Sequence, residues 1–128
     1  MTLTERLIEL IESKNIDEDD ISAASWFMLD AMANIAAGRR TKQGKILTRW
    51  FLDEPPNTSR KVLWLGALMH ILEVDDLHRQ SVVHPGCVVI PTVISLGMRE
   101  GLSGRKMLEA VLKGFEACTR IGNSVGPA

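Results

Sequence analysis

The sequence predicts an all-α fold, a helical bundle formed by a single domain over residues 1–128. Apolar residues recur at helical spacing along nearly the whole chain. Prolines, glycines and capping residues divide this pattern into segments of helical length. Apart from the β-branched run Val88–Ile90, no alternating strand pattern exceeds four residues, and no internal repeat is found.

The predicted helices can be justified in chain order. Their approximate limits are 3–14, 17–38, 45–52, 59–72, 88–99 and 104–121. Asp17–Asp20 place acids at the start of the second helix, where the helix dipole favours them. Pro55-Pro56 stops the third helix, and Asn57-Thr58-Ser59 offers an N-cap for the fourth. Gly101 ends the fifth helix and Ser103 caps the sixth.

Composition excludes several classes of protein. The chain has 128 residues, of which 45% are hydrophobic and 24% charged, so it can bury a core and is not disordered. A net charge of −1 argues against a nucleic-acid partner. Two cysteines provide no disulfide framework, which favours a reducing, cytoplasmic location. The N-terminus does not resemble a signal peptide, and the longest apolar run is too short to span a membrane.

Charge is distributed unevenly along the chain. Residues 1–30 carry two bases and eight acids, a net charge of −6, whereas residues 31–61 carry seven bases and two acids, a net charge of +5. The basic stretch could steer a negatively charged ligand toward the protein. A solvated helix end is the simpler interpretation, because no aromatic residue is interleaved with Arg39–Lys45.

A polar segment separates two very apolar helices. It contains all three histidines of the chain and three carboxylates, namely His70, Glu73, Asp75, Asp76, His78 and His84. Carboxylates beside imidazoles in a medium of low dielectric constant can perform acid–base chemistry at neutral pH. The segment is therefore the candidate functional site.

Two other interpretations of this segment remain open on its residues alone. His70 and Glu73 lie on one helix face, and His78 and His84 could complete a metal site, although no known metal signature matches. Alternatively, the segment is structural. A histidine before proline often ends a loop, and Asp75-Asp76 can terminate a helix or cap a turn.

The ordered motifs resemble those of the MmgE/PrpD family. That family shows NG-x-x-x-H-x-x-D-F-D-D-T-H, then H-P-S/G and a run that ends in proline. The corresponding residues here are Leu65-Gly66, His70, Glu73–His78, His84-Pro85-Gly86 and Val89-Ile90-Pro91. Flanking motifs agree as well, and they comprise Met28–Asp30, Gly38, Gly104, Gly114–Glu116 and Arg120–Gly122.

This resemblance implies a helical enzyme without a metal or other cofactor that acts on small di- or tricarboxylates. Such enzymes eliminate water, release carbon dioxide or epimerise, each time by proton transfer next to a carboxylate. The resemblance implies catalytic roles for His84, Glu73 and Asp76. It implies substrate-binding roles for His78, Leu77 and Gly86. Glu73 stands where the family has aspartate, and Leu77 stands where it has threonine.

Family members are much longer than this chain and carry further site residues in a C-terminal region. The expected function is therefore that of an N-terminal subunit or half of a lyase or isomerase, with a separately encoded C-terminal chain completing the site. Wide apolar helix faces also predict a homo-oligomer. The alternative is a non-catalytic helical partner, retained for assembly or regulation.

Overall fold

The computed structural model describes residues 1–55 and 57–126, which form six α-helices and no strand. The helices are α1 (Leu3–Glu12), α2 (Glu18–Gly38), α3 (Lys42–Leu52), α4 (Thr58–His70), α5 (Pro85–Glu100) and α6 (Gly104–Val125). The predicted all-α class is confirmed. Within the described ranges, no helix is both long and apolar enough to cross a lipid bilayer. One residue of the predicted Pro55-Pro56 stop, Pro56, lies outside the described residues.

Side-chain caps begin five of the helices. In each case the residue before the helix accepts a hydrogen bond from a backbone N–H three positions later, and these caps are Thr2, Asp17, Thr41, Asn57 and Ser103. The predicted starts at Asp17, Asn57 and Ser103 are thus confirmed. Helix α5 differs, because its N-cap His84 makes no such bond and Pro85 forms the first helical residue.

Two helices begin three residues earlier than the sequence predicts. Helix α3 starts at Lys42 rather than near Lys45, because the Thr41 hydroxyl accepts a hydrogen bond from the backbone N–H of Gly44. Helix α5 starts at Pro85 rather than near Val88, since proline fits a first turn in which its missing N–H has no intrahelical partner. The second difference brings His84 directly to the start of a helix.

The core lies where α2, α4, α5 and α6 meet. Its buried members are small or apolar residues of those four helices, namely Ala24, Ala31, Met69, Ile90 and Val111. Helix α3 packs on α4, and α1 packs on α6. Only part of the apolar surface of α2 contacts this core. Met28 and Ile35 pack against the core, whereas the side chains of Leu29 and Met32 remain largely exposed.

Glycines set the close approach of α4 to its neighbours. A Cβ atom on Gly38 would lie 2.1 Å from the backbone oxygen of Leu68, and one on Gly66 would lie 2.7 Å from that of Cys87. Pro91, four residues after Cys87, has no N–H to offer the Cys87 carbonyl along α5. At the α4–α5 crossing, the Cys87 carbonyl therefore lies against α4 without its usual helical hydrogen-bond donor. The close crossing brings the end of α4 near the start of α5.

Candidate functional site

Two imidazoles meet at the junction between α4 and α5. His70 is the last residue of α4 and His84 is the N-cap of α5, so the close packing of these helices brings the two side chains together. Their ring centroids lie 4.8 Å apart, with the planes inclined at 69°. The chain between them, residues 71–84, forms the rest of the site.

The carboxylate of Asp75 lies between the two imidazoles. Its side chain is fully buried, and its two oxygens lie 3.0 and 3.1 Å from Nδ1 of His70. One oxygen also lies 3.5 Å from Nδ1 of His84. That nitrogen is buried, and no atom of the described chain hydrogen-bonds to it. Asp75 therefore lies within hydrogen-bonding distance of the His70 ring and beside the His84 ring.

Asp76 occupies a different environment, at the N-terminus of α5. Both of its carboxylate oxygens lie 3.1 Å from the backbone nitrogen of Gly86, which donates a hydrogen bond to the group. The carboxylate thus provides the cap that His84 does not supply. A Cβ atom on Gly86 would lie 2.1 Å from Oδ1 of Asp76, so only glycine admits this approach without a shift.

Burial perturbs the ionisation of Asp76 and of Cys87. Desolvation raises the pKa of Asp76, and the charges of Asp75 and Asp30 add to this effect against the hydrogen bond from Gly86. Desolvation also raises the pKa of the Cys87 thiol to about 11, with further contributions from the charges of Asp75 and Asp76. Cys87 therefore stays protonated at neutral pH, which makes it a poor nucleophile.

The other residues implied by the resemblance lie at the edge of this cluster. Glu73 has a positive φ of 54°, and its side chain is 78% exposed with Oε1 3.8 Å from Nε2 of His70. Leu77 is half-exposed. His78 bonds within the loop, where Nδ1 lies 2.7 Å from Oγ of Ser81. Of the six residues, His84, Asp76 and Gly86 come together at the start of α5, and Glu73 approaches only His70. No contact of Leu77 or His78 with the imidazole pair is found among the described residues.

The family resemblance implies no role for two members of the cluster. His70 falls inside the predicted helix 59–72, but its side chain is 40% exposed at the end of α4. Asp75 was predicted only as a neighbouring acid, and it is the carboxylate that contacts both rings. A usable signal was the aspartate pair itself, placed between two helix-terminal histidines, because adjacent acids in a loop can face opposite environments.

A cleft of about 330 Å³ opens beside the cluster. The residues that line it are Trp26, Phe27, Asp30, Val74, Asp75 and Asp76. Three of these are carboxylates, and no Lys or Arg is present among these lining residues. The cleft therefore has an aromatic wall and a negative charge.

Comparison with known proteins agrees with the order of these elements. Residues 5–128 match the model of the MmgE/PrpD N-terminal domain. The chain belongs to the MmgE/PrpD family. It is similar to cis-aconitate decarboxylase from Aspergillus terreus and from A. terreus strain NIH 2624 / FGSC A1156, each 25% identical over 133 aligned residues. The alignments cover 90% of this chain and 27% of each relative, so this MmgE/PrpD domain spans about a quarter of their length. No solved structure gives a significant match.

Proposed function

We propose that this MmgE/PrpD domain supplies the acid–base half of a lyase or isomerase site for a small di- or tricarboxylate. The observation that carries the proposal is the position of His84. Its buried Nδ1 lies 3.5 Å from the fully buried carboxylate of Asp75, while the ring as a whole remains 28% exposed. A ring with one nitrogen beside a carboxylate and another side open to solvent can exchange protons with a substrate.

In this proposal each carboxylate of the pair has its own role. Asp75 orients His84 and stabilises the imidazolium that forms when the ring takes a proton from the carbon next to a substrate carboxylate. Asp76, whose pKa burial raises, can hold a proton at higher pH than an ordinary aspartate and return it to the departing group. Neither step uses a metal ion. Dehydration and epimerisation begin with removal of this proton, whereas decarboxylation breaks the bond to the departing carbon dioxide, and the imidazolium then delivers a proton to the same carbon.

The charge of the cleft supports completion of the site by groups from elsewhere. Asp30, Asp75 and Asp76 line it without a Lys or Arg among them, so an anionic substrate would meet repulsion there. Cations are required to bind a di- or tricarboxylate. We therefore propose that a C-terminal MmgE/PrpD-like region, carried by a separate chain, contributes them in a hetero-oligomer. Both cysteines are unpaired, which fits the reducing conditions of the cytoplasm.

The test is an activity assay on the complex with such a C-terminal chain, using cis-aconitate as the probe and release of carbon dioxide as the readout. EDTA is present throughout. We expect His84→Ala to lower turnover about 100-fold or more, as loss of a general acid–base group does. Added imidazole should restore part of the activity. Thermal unfolding and binding to the C-terminal chain should change little, because the ring lies at the rim of the fold.

Full activity of His84→Ala in the assembled complex would contradict the acid–base role, and so would unfolding of the variant. His84→Gln serves as the matched control because it keeps the volume and a hydrogen-bonding atom but cannot exchange protons. Loss of turnover in His84→Gln with an unchanged unfolding temperature would separate proton transfer from packing.

A non-catalytic helical partner is the second candidate, and two positions favour it. Glu73 and Leu77 stand where the family resemblance implies a site aspartate and a site threonine, and both side chains are exposed. A longer arm at residue 73 can misplace a carboxylate by about 1 Å and reduce a rate on the order of 100-fold. This candidate predicts that the C-terminal chain binds with equal affinity to the wild type and to His84→Ala, and that neither complex is active.

A further inference from the structure

The imidazole–carboxylate cluster also has the arrangement of a metal-ligand set. One ring nitrogen each from His70 and His84 and one oxygen of Asp75 lie within 4.8 Å of one another. A single Asp75 oxygen, Oδ2, lies 3.1 Å from His70 Nδ1 and 3.5 Å from His84 Nδ1. Zinc–ligand bonds of about 2.0–2.2 Å in a tetrahedral site put neighbouring donors roughly 3.4 Å apart. Both separations are close to that value.

The electrostatics of the site favour a cation. Asp75 is fully buried, Asp76 lies next to it, and Asp30 shares the cleft, with no Lys or Arg among the residues that line it. Nδ1 of His84 is buried, and no hydrogen-bond partner is found for it among the described residues. A divalent cation would offset the carboxylate charges and give this nitrogen a ligand bond.

Glu73 adds a feature often found around metal-binding histidines. Such histidines usually orient their second ring nitrogen toward a carboxylate or a backbone carbonyl. Here Oε1 of Glu73 lies 3.8 Å from Nε2 of His70, on the side of the ring that faces away from Asp75. Glu73, which stands where the family resemblance implies an aspartate, would thus orient His70 as a metal ligand.

From this geometry we propose that the chain binds Zn²⁺ through His70, Asp75 and His84. Three protein ligands leave a fourth position open for water or for a carboxylate. The metal would bind Nδ1 of His84 and draw the Asp75 carboxylate into its coordination, so the ring could no longer form the imidazolium that proton transfer requires. A consequence, which rests on the proposed function, is that Zn²⁺ inhibits the assembled enzyme and that EDTA relieves this inhibition.

The binding itself is tested on the full chain, without any activity, by titration with Co²⁺ as a spectroscopic substitute for Zn²⁺. We expect the visible d–d absorption bands of tetrahedral Co²⁺ at one ion per chain, and their loss when Zn²⁺ is added. His70→Gln, His84→Gln and Asp75→Asn should each weaken Co²⁺ binding by more than about tenfold, and Glu73→Gln by about tenfold. His78→Gln is the matched control and should bind as the wild type does.

A second measurement remains decisive if a ligand variant fails to fold. In the wild-type chain, Zn²⁺ should shift the imidazole NMR resonances of His70 and His84 and leave those of His78 in place. Absence of any shift, a shift confined to His78, or unchanged Co²⁺ affinity in both His70→Gln and His84→Gln would overturn the zinc proposal. The acid–base proposal is tested with EDTA present, so it can stand or fail independently.

Discussion

Two consecutive aspartates have different roles at the junction of α4 and α5. Asp75 is buried between two imidazoles, whereas Asp76 is only partly buried and accepts the N–H of Gly86 at the start of α5. Both are acids in a polar segment of the sequence, and only the fold distinguishes them. An assignment of chemistry to either carboxylate therefore depends on the contacts that surround it.

Asp76 makes stability depend on pH in a direction that can be measured. Burial raises its pKa in the folded state above the ordinary value of 3.8. Its contribution to folding is thus fully present below pH 3.8 and is lost as the pH rises through the folded-state pKa. Asp76→Asn keeps an oxygen that accepts the Gly86 N–H but does not ionise. We expect its stability relative to the wild type to increase as the pH rises.

Urea unfolding of both proteins from about pH 3 to pH 7 measures this difference. Parallel stability curves across the range would contradict a raised pKa. A curve for Asp76→Asn that falls relative to the wild type as the pH rises would mean that the ionised carboxylate stabilises α5 by more than its burial costs.

The sequence identified the segment of the site more reliably than its members. Clustering of the three histidines with acids pointed to residues 70–84, and His84 does lie at the centre of the cluster. Asp75 could not be singled out, because its burial arises from the packing of α4 against α5 and not from any local pattern. The exposure of His70 also depends on the fold, since the predicted helix 59–72 continues past His70, whereas α4 ends there.

At the scale of elements, helical periodicity and capping chemistry account for most of the fold. Local signals at Asp17, Asn57 and Ser103 were sufficient to place three helix starts. The earlier start of α3 was missed because Lys42 and Gln43 add no apolar residue to the pattern, although Thr41 was available as a cap. Helix ends also depend on tertiary contacts, so periodicity alone cannot fix them.

Packing of α2 on α4 should be sensitive to a single carbon atom added at Gly38. Gly38→Ala would place a Cβ 2.1 Å from the Leu68 backbone oxygen, and backbone cannot rotate away as a side chain can. We expect a loss of about 1–3 kcal/mol in the free energy of unfolding, measured with urea. The matched control is Gly104→Ala in the first turn of α6, where a Cβ meets no atom within 4 Å.

Gly104→Ala should be neutral or should stabilise by up to about 1 kcal/mol, since alanine favours the helix. Equal stability of Gly38→Ala and Gly104→Ala would show that α2 and α4 can separate without cost. The comparison isolates steric contact from helix propensity because both changes add the same methyl group.

At the scale of the whole molecule, many apolar side chains lie outside the core. Trp26 is 68% exposed, and Leu29 and Met32 extend the apolar surface along α2. Large contiguous apolar patches on soluble proteins usually mark interfaces. The six helices bury one face of α2 and leave another uncovered.

We expect the isolated chain to self-associate because of this surface. Light scattering at micromolar concentration should report a mass above the 14.2 kDa of one chain. Met32→Lys introduces a charge into the exposed face of α2 and should reduce the mass. Lys42→Met on α3 is the control, because it makes the opposite change, from a charged to an apolar side chain, on another helix. A stable monomer for the wild-type chain would contradict the expectation.

At the crossing of α4 and α5, the residues that two distant positions in the sequence can accept depend on each other. Pro91 leaves the Cys87 carbonyl without its helical donor, and Gly66 leaves room for that carbonyl to approach α4. A larger residue at 66 is tolerated only if the carbonyl moves, and an N–H at 91 would hold it along the axis of α5. A change at position 66 should therefore alter which residues position 91 accepts. Random mutagenesis of the α4–α5 crossing would change these two positions in pairs rather than one residue at a time.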